Sequence, residues 1–214
     1  MPKTAAPAPP IRIIGISGSL REGSYTRKIV EIALEGSRAF GAQTRLIDLR
    51  EYRMAFYGEF EKDEDYPPDV QRFREEVKAA DGIILGTPEY HASLSGVIKN
   101  ALDFMSFEEV EGKMIGLVGV SGGKLGAINA LNSLRNIGRN LHAWVLPQQV
   151  SVPEAYQQFD EHGVMKNPEL RERLLSIGEL IAKFSLIHRL QQNDDFIRMW
   201  EGLPVNPGGG KPKQ

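Results

Sequence analysis

Small and hydroxylated residues near the start of the chain form the segment with the clearest chemical potential. Residues 11–26 read I-R-I-I-G-I-S-G-S-L-R-E-G-S-Y-T, an apolar stretch followed by a loop rich in serine and glycine with one cation, Arg21. A helical pattern begins directly afterwards, and one face of it is predicted to hold Ile29, Ile32, Ala33 and Phe40. A strand, a glycine-rich turn and a helix N-terminus together present backbone N–H groups and a positive helix dipole to an anion. The segment therefore predicts a phosphate-binding loop.

The loop also limits which phosphate it would hold. Gly18 and Gly23 have the spacing of a P-loop, but Ser24 and Tyr25 follow where that motif requires Lys and Ser/Thr, so NTP hydrolysis is not expected. The G-x-G-x-x-G pattern of a dinucleotide-binding turn is absent as well. The hydroxyls and the forked donors of Arg21 suit a terminal phosphate monoester. The alternative, a tight structural turn that binds nothing, stays open at this point.

Composition restricts the class of protein. The chain has 214 residues, a formal charge of −2 and no cysteine, which excludes disulfides, thiolate metal sites and cysteine nucleophiles. The acidic balance argues against nucleic-acid binding, and no apolar run approaches the roughly 20 residues of a membrane span. Residues 1–10 are rich in Ala and Pro without a hydrophobic signal core, so we expect a disordered lead-in and a cytoplasmic protein.

Strand and helix patterns alternate along the chain. After the first strand and helix, further strands are predicted at 44–49, 82–87 (ended by Pro88), 113–120 and 143–147. Helices are predicted at 67–80, 94–105 and 125–140, together with a long final helix whose apolar face carries Leu170, Leu174, Ile177, Ile181 and Phe184. Gly41 is predicted to end the first helix, and long loops are expected at 50–66 and 148–166.

Continuous apolar strands separated by helices predict a doubly wound α/β sandwich with a parallel sheet. Ligands bind such sheets outside the carboxyl ends of the strands. Three loops of unusual composition follow predicted strands and are expected at that edge: 17–26, 88–95 and 121–126.

Two sequence motifs together are typical of a known family. One contains the second of these loops and reads T-P-E-Y-H-A-S-L-S-G-V-I-K-N-A-L-D-F at 87–104, and the other lies in the first loop and reads G-S-L-R-E-G-S at 18–24. With these motifs the chain resembles the NAD(P)H-dependent FMN reductase family of flavodoxin-like proteins, which includes quinone, azo-dye and chromate reductases. The resemblance covers about 11–186. It implies a five-stranded parallel sheet of order 2-1-3-4-5 with helices on both faces, formed by residues 11–192 and followed by an extension at 193–214.

The resemblance also implies which residues bind the cofactor. The FMN phosphate would be held by Ser17, Ser19, Arg21, Ser24, Tyr25 and Thr26. The isoalloxazine and ribityl would lie along Pro88, Glu89, Tyr90 and His91, and the other edge of the flavin along Ser121, Gly122 and Gly123.

Two of these positions depart from the family, whose members usually have Asn where Thr26 and His91 stand. Threonine keeps an oxygen for the phosphate. For His91, two roles stay open: tuning the flavin near neutral pH or facing solvent. Tyr90 is expected either beside the dimethylbenzene end of the flavin or in the core.

No catalytic side chain is predicted. The sequence lacks a Ser-His-Asp order, an H-E-x-x-H motif and carboxylates with metal-ligand spacing, which is typical of proteins whose cofactor carries the reaction. The resemblance implies hydride transfer from NADPH or NADH to N5 of FMN, and onward by a ping-pong mechanism to a quinone, azo compound, free flavin or metal oxyanion such as chromate. A flavodoxin-type electron carrier and a flavin-bound regulatory protein are the alternatives.

The remaining predictions concern contacts. The resemblance implies a homodimer or homotetramer through the helix at 94–105, with Lys99 and Asp103 pairing between subunits in preference to an exposed pair within the helix. Asp48 is expected to be a cap or an ion-pair partner. The apolar segment 196–200 is expected to pack on its own domain or on a neighbour.

Overall fold

A computed structural model describes residues 10–191. The predicted extension at 193–214, the apolar segment 196–200 and all but the last residue of the predicted lead-in lie outside these residues. Within the described part, no helix combines the length and the apolar character needed to cross a bilayer.

Strands and helices alternate as the sequence predicts. The strands are β1 (Arg12–Ser17), β2 (Gln43–Asp48), β3 (Gly82–Tyr90), β4 (Ser93–Leu94), β5 (Met114–Val120) and β6 (Trp144–Val152). The helices are α1 (Tyr25–Ala39), α2 (Pro68–Lys78), α3 (Gly96–Asp103), α4 (Phe107–Val110), α5 (Ile128–Asn140), α6 (Ala155–Gln158) and α7 (Pro168–Gln191). Two single 3₁₀ turns, Leu49–Glu51 and Asp63–Asp65, interrupt the predicted loop at 50–66.

The sheet has the order β2-β1-β3-β5-β6, and all of these neighbours are parallel. This confirms the predicted five-strand order. The two-residue strand β4, which the sequence did not reveal, pairs antiparallel with the end of β3. The carboxyl ends of the strands therefore meet at one edge, followed by the loops singled out above.

Apolar residues cover both faces of the sheet. On one face, α1 and α7 pack on the strands through residues such as Ile29, Leu34 and Ile177. On the other face, α2, α3 and α5 do so through residues such as Phe73 and Ile98. A parallel sheet buried on both sides explains why its strands are apolar runs without alternation.

Helices α1 and α7 cross in very close contact. A Cβ atom on Gly36 would lie 2.0 Å from the Leu175 carbonyl oxygen, and one on Gly178 would lie 1.7 Å from the Ala33 carbonyl oxygen. The buried Ser37 Oγ donates to the Gly178 carbonyl at 2.8 Å. Only glycine permits this approach, so the two residues fix how α7 lies on α1.

Two strands extend past the prolines that were expected to end them. Pro88 lies inside β3, because β1 stops opposite Gly86 and so no neighbour on that side needs the missing N–H. Pro147 lies where the β5–β6 register shifts between Ile115 and Leu117, and β6 continues to Val152. The prediction of a loop from 148 onward was therefore wrong for its first five residues.

Smaller corrections concern helix ends and faces. Helices α3 and α5 begin two and three residues later than predicted, with Ser95 capping α3. Phe40 and Phe184 are exposed by 38% and 39%, so neither lies on the buried face to which it was assigned. Gly41 follows the end of α1 with a φ of +97°, as expected for a glycine that terminates a helix.

Candidate functional site

A cavity of about 510 Å³ opens at the carboxyl edge of the sheet, within the size range of small-molecule sites. It brings together ten of the thirteen residues predicted to bind the cofactor: Ser19, Arg21, Ser24, Tyr25, Thr26, Pro88, Glu89, Tyr90, Ser121 and Gly122. Ser17, His91 and Gly123 do not line it. The three predicted loops thus meet around one space.

The first loop builds the end of the cavity that suits an anion. Ser24 is the N-cap of α1, and its Oγ accepts from the Arg27 N–H at 3.2 Å. The N–H groups of the first helical turn have no partner within a helix, and α1 has no acidic residue in that turn. Arg21 is exposed, and its guanidinium makes no ion pair or hydrogen bond with other residues of the described chain. Apart from the Arg27 N–H, which Ser24 caps, these groups are donors without an acceptor in the described chain.

The position of this loop is set by α3. A Cβ on Gly18 would lie 2.6 Å from the Ile98 Cβ, so only glycine lets the loop rest on this helix. The Ser95 hydroxyl donates to the Gly18 carbonyl at 2.5 Å while it also caps α3. The Gly18 N–H donates to the Gly86 carbonyl on β3 at 2.8 Å. The first loop is therefore held by β3, which leads into the second loop, and by α3, which follows it.

Ser17 differs from the other hydroxyl residues of this loop. It is fully buried at the end of β1, and within the described chain its Oγ has no hydrogen-bond partner. The structure does not bring it to the cavity lining, although the sequence pattern grouped it with Ser19 and Ser24.

The second loop is a β-hairpin whose turn residues are His91 and Ala92. Tyr90 pairs with Ser93, and His91 and Ala92 have φ values of +49° and +59°. A two-residue turn with positive φ at both positions matches the twist of the strands but is strained for residues other than Gly and Asn. His91 is exposed in this turn. Asn would be less strained than His at this position, because Asn adopts positive φ more readily.

Glu89 connects the second and third loops. Its carboxylate accepts from the Ala130 N–H at 3.0 Å and from the Asn129 amide at 3.5 Å. The N-cap of α5 is Ala127, which has no side chain able to cap the helix, so a carboxylate from β3 supplies this function. The negative charge of Glu89 is thus directed at a helix terminus.

The third loop contributes an open floor. Ser121 Oγ accepts from the Gly123 N–H at 3.0 Å, and the Ser121 N–H donates to the Val152 carbonyl at 3.0 Å. In residues 10–191, no heavy atom other than those of Gly122 and its two chain neighbours lies within 4 Å of the position that a Cβ would take on Gly122. A flat group can therefore approach the backbone closely at Gly122.

Five cavity residues were not among the predicted binding residues: Glu22, Gly23, Val120, Ala155 and Tyr156. Glu22 and Gly23 lie within the predicted loop at 17–26, whereas the other three lie outside the three loops predicted at the carboxyl edge. Ala155 and Tyr156 follow β6, and the signal that would have found them is the position of the strand end. Once β6 is extended to Val152, the residues after it belong at the same edge as the other three loops.

Asp48 has the structural role that was expected for it. Its buried carboxylate accepts from the Arg50 N–H at 3.1 Å and pairs with the guanidinium groups of Arg50 and Arg27. Burial alone would raise the pKa of Asp48, but the hydrogen bonds from Arg50 and the charges of Arg50 and Arg27 outweigh it and hold the pKa below its usual value. The group lies next to Ser17 in the sheet and does not line the cavity.

Comparison with known proteins points to a single family. The family model described as NADPH-dependent FMN reductase matches residues 11–157. An NAD(P)H-dependent FMN reductase of Pseudomonas aeruginosa is 35% identical over 167 residues, which cover 76% of this chain and 88% of that protein. An NAD(P)H:quinone oxidoreductase of Solanum tuberosum is 31% identical over 193 residues, which cover 87% and 97%.

Solved structures agree on the fold. FerB, a flavoenzyme NAD(P)H:(acceptor) oxidoreductase from Paracoccus denitrificans, superimposes with a TM-score of 0.63 at 23% identity, covering 83% of this chain and 98% of that one. At this identity the similarity supports the architecture alone.

Proposed function

The chain belongs to the NADPH-dependent FMN reductase family, and from this premise we propose that it oxidises NAD(P)H with bound FMN and passes the electrons to a quinone. It is an oxidoreductase whose cofactor is FMN and whose electron donor is NAD(P)H. The observation that carries the proposal is the 510 Å³ cavity, which joins a set of anion donors to an open floor at the carboxyl edge of the sheet.

The residues present fit FMN at its phosphate end. Ser19, Ser24 and Thr26 would offer hydroxyls, the first turn of α1 would offer N–H groups, and Arg21 would offer a guanidinium. Apart from Gly23 and its two chain neighbours, no heavy atom of the described chain lies within 4 Å of a Cβ placed on Gly23, so the backbone is open to a ligand there. We assign the phosphate to these groups.

The residues also fit a flat ring system. Pro88 and Tyr90 would line one side, and Ser121 with Gly122 would line the other, where the missing Cβ leaves space. Bound FMN supplies hydride acceptance and two-electron transfer. The side chains of the chain would then bind, orient and exclude water, because the cofactor carries the chemistry.

The test is the visible absorption spectrum of the purified protein after addition of FMN and then of NADPH without oxygen. We expect a bound flavin spectrum that bleaches with NADPH and recovers on addition of benzoquinone. A bound flavin that NADPH cannot reduce would instead indicate an electron carrier. A protein that takes up no FMN would overturn the proposal.

The choice of a quinone as acceptor is supported by the similarity to the Solanum tuberosum enzyme. An azo compound, free flavin and chromate are the other acceptors to be compared. Steady-state kcat/KM for each acceptor at a fixed NADPH concentration gives the ranking, and a higher value for an azo dye than for any quinone would contradict our choice. Because the nicotinamide donor is a cytoplasmic metabolite, we also propose a cytoplasmic location, to be checked by cell fractionation.

We propose further that the protein forms a homodimer or homotetramer through the region of α3. An apolar groove of about 470 Å³ lies beside α3, lined by Leu20, Leu49, Tyr52, Met54, Phe56, Tyr90, Ser95, Gly96, Val97 and Asn100. Phe56 is 76% exposed, and exposed apolar patches of this kind mark protein interfaces. The side chain of Asn100 on α3 bonds the backbone of Ala55 and Tyr57, so this surface is already formed in one chain.

Sedimentation velocity tests the oligomer. Phe56→Glu is expected to give monomers. Trp144, which is 62% exposed on the strand at the opposite edge of the sheet, is the control, and Trp144→Glu is expected to leave the oligomer intact. The opposite pattern would contradict the proposed interface. Lys99 and Asp103 pair with each other within α3 at 2.5 Å in the single chain, and their pairing between subunits stays a prediction.

A further inference from the structure

Tyr156 is an aromatic residue at the mouth of the cavity for which the fold gives no structural reason. Its side chain is 57% exposed and lines the cavity, and it belongs to neither of the two core clusters. Its hydroxyl accepts from the Gln157 amide at 2.9 Å, a contact between neighbouring residues at the surface. The ring therefore buries little area in the chain as it stands.

The aromatic residues around Tyr156 are already paired with each other. Tyr25 and Phe159 stack with ring centroids 5.4 Å apart, and the Lys28 ammonium lies over both rings. In the part of the chain that the structure describes, Tyr156 has no aromatic or cationic partner of this kind. Its π face is available to a ligand.

The backbone is arranged to bring Tyr156 to this place. Glu154 has φ and ψ of +44° and +49°, a conformation that costs a non-glycine residue about 1–2 kcal/mol. This turn directs the chain back toward the third loop, where the Glu154 and Ala155 N–H groups donate to the carbonyls of Gly123 and Ser121 at 3.2 and 3.0 Å. Strained residues of this kind cluster at functional sites.

The residues that line the cavity differ in their exposure to solvent. Ser19, Ser24, Thr26 and Pro88 are buried, so the space that they enclose suits a resident cofactor. Tyr156 lies at the exposed rim, as Arg21 and Tyr90 do, where a ligand that enters and leaves is met first. A tyrosine side chain has only two χ angles, so ordering its ring against a ligand costs little conformational entropy.

We propose that the Tyr156 ring stacks on the planar ring of the visiting substrate and thereby determines which substrates this enzyme accepts. The proposal rests on the proposed function. The shared chemistry is a flat π system, which both the nicotinamide of the donor and a quinone acceptor possess. A stacked aromatic ring favours such ligands over acceptors that have no ring.

The test compares Tyr156→Ala with Tyr156→Phe, which keeps the ring and loses only the hydroxyl. NADP⁺ binding to the FMN-loaded protein is measured by titration calorimetry, and the FMN dissociation constant by flavin fluorescence. Rapid-mixing kinetics then give the concentration dependence of oxidation of the reduced enzyme by benzoquinone and by ferricyanide. Trp144→Ala, which removes an exposed aromatic ring far from the cavity, is the matched control.

We expect Tyr156→Ala to weaken NADP⁺ and benzoquinone binding about tenfold, within the range measured for stacking on aromatic side chains. Tyr156→Phe and Trp144→Ala should stay within about twofold of the parent protein. FMN affinity and the reaction with ferricyanide, which has no ring, should not change. Weakening of NADP⁺ alone would identify the donor as the stacked ligand, and weakening of benzoquinone alone the acceptor.

Other outcomes overturn the inference. Unchanged affinity for both ring ligands in Tyr156→Ala would show that the ring is not a contact, and a loss in Tyr156→Phe equal to that in Tyr156→Ala would show that the hydroxyl acts instead. A lower FMN affinity with unchanged NADP⁺ and benzoquinone binding would make Tyr156 part of the cofactor site. Failure of the parent protein to bind FMN would refute the proposed function itself, and this inference with it.

Discussion

The two ends of the parallel sheet carry cavities of opposite character. At the amino ends of β3 and β5, a cavity of about 270 Å³ is lined by charged groups that have partners inside the chain. Lys113 Nζ donates to the Val77 and Lys78 carbonyls at 2.7 Å, and Arg189 pairs with Asp81 at 3.2 Å. At the carboxyl ends, the cavity holds donors such as the Arg21 guanidinium that have no acceptor in the described chain.

The difference shows how to distinguish polar groups that stabilise the fold from polar groups that can bind a ligand. Charge and volume are present at both ends, but satisfied groups stabilise the fold, while unsatisfied donors are available to a ligand. The following predictions test this division, beginning with the largest expected effect.

Removal of a buried charge near the amino end should chiefly affect stability. Glu109 is 3% exposed, pairs with Arg74 at 2.9 Å and accepts from the N–H and the hydroxyl of Ser106. Burial alone would raise the pKa of Glu109, yet the bonds from Ser106 and the Arg74 charge hold it below its usual value. We expect Glu109→Ala to lower the free energy of unfolding by about 3 kcal/mol in urea titrations.

The neighbouring Glu108→Ala is the control for Glu109. Glu108 pairs with Lys78 on the exposed surface, so its loss should cost less than about 1 kcal/mol. FMN affinity should be normal in both variants. A cofactor defect in Glu109→Ala would contradict the division between the two ends.

Removal of an unsatisfied donor at the carboxyl end should chiefly affect binding. Arg21→Ala is expected to raise the FMN dissociation constant by roughly 10- to 100-fold, because a charge-assisted contact to phosphate is lost. The urea midpoint should not change, since the Arg21 guanidinium bonds no other residue of the described chain and the substitution keeps the backbone N–H that donates to Ser19 Oγ. Fluorescence titration measures the affinity, with Lys78→Ala as the cationic control, and equal affinities in the two variants would exclude Arg21 from the phosphate site.

The amino-end cavity should also give the protein a measurable alkaline pH dependence. Burial lowers the pKa of Lys113 from its usual 10.5 to about 8. Between pH 8 and 10.5 the unfolded chain thus holds a proton there that the folded protein has released, so the free energy of unfolding should rise with pH.

The Lys113→Met variant isolates this contribution. After allowance for partial exposure, the rise should be on the order of 1 kcal/mol larger in the parent protein than in the variant. Urea titrations at pH 8 and pH 10 provide the measurement. Equal rises in both proteins would mean that Lys113 is not the group responsible.

The smallest effect concerns the hairpin of the second loop. Ala92→Gly and His91→Asn should each raise the free energy of unfolding by about 0.5–1 kcal/mol, because both residues have positive φ. Ala79→Gly is the control, since Ala79 has a φ of −77° and gains nothing from glycine. A loss of stability in Ala92→Gly would show that the turn is not strained. NADPH oxidation by the two hairpin variants would report whether the turn must be rigid.

Much of the fold could be predicted from sequence because apolar runs and glycine turns are local signals. The five parallel strands and three site loops follow from such signals. The errors at Pro88 and Pro147 arose because a proline inside a strand is tolerated only where no neighbour needs its N–H, which depends on where the adjacent strand ends.

The site was predictable to the extent that its residues lie in loops directly after strands. Tyr156 was missed because β6 was ended too early, and Ser17 was included because a hydroxyl in a loop motif does not reveal which way it points. The capping of α5 by Glu89 could not be foreseen, since the two elements are 40 residues apart in sequence and meet only in the folded sheet.

The glycine crossing of α1 and α7 has a consequence for synthesis of the protein. The contact between Ser37 and Gly178 spans 141 residues, so the face of α1 that α7 covers stays exposed on the ribosome until α7 has emerged. The cavity begins at the N-terminus of α1, and α7 packs against the same helix nearer its other end, at Ala33, Gly36 and Ser37. Flavin capture during translation would then report a chain that is complete through α7, although no residue of that helix touches the cavity.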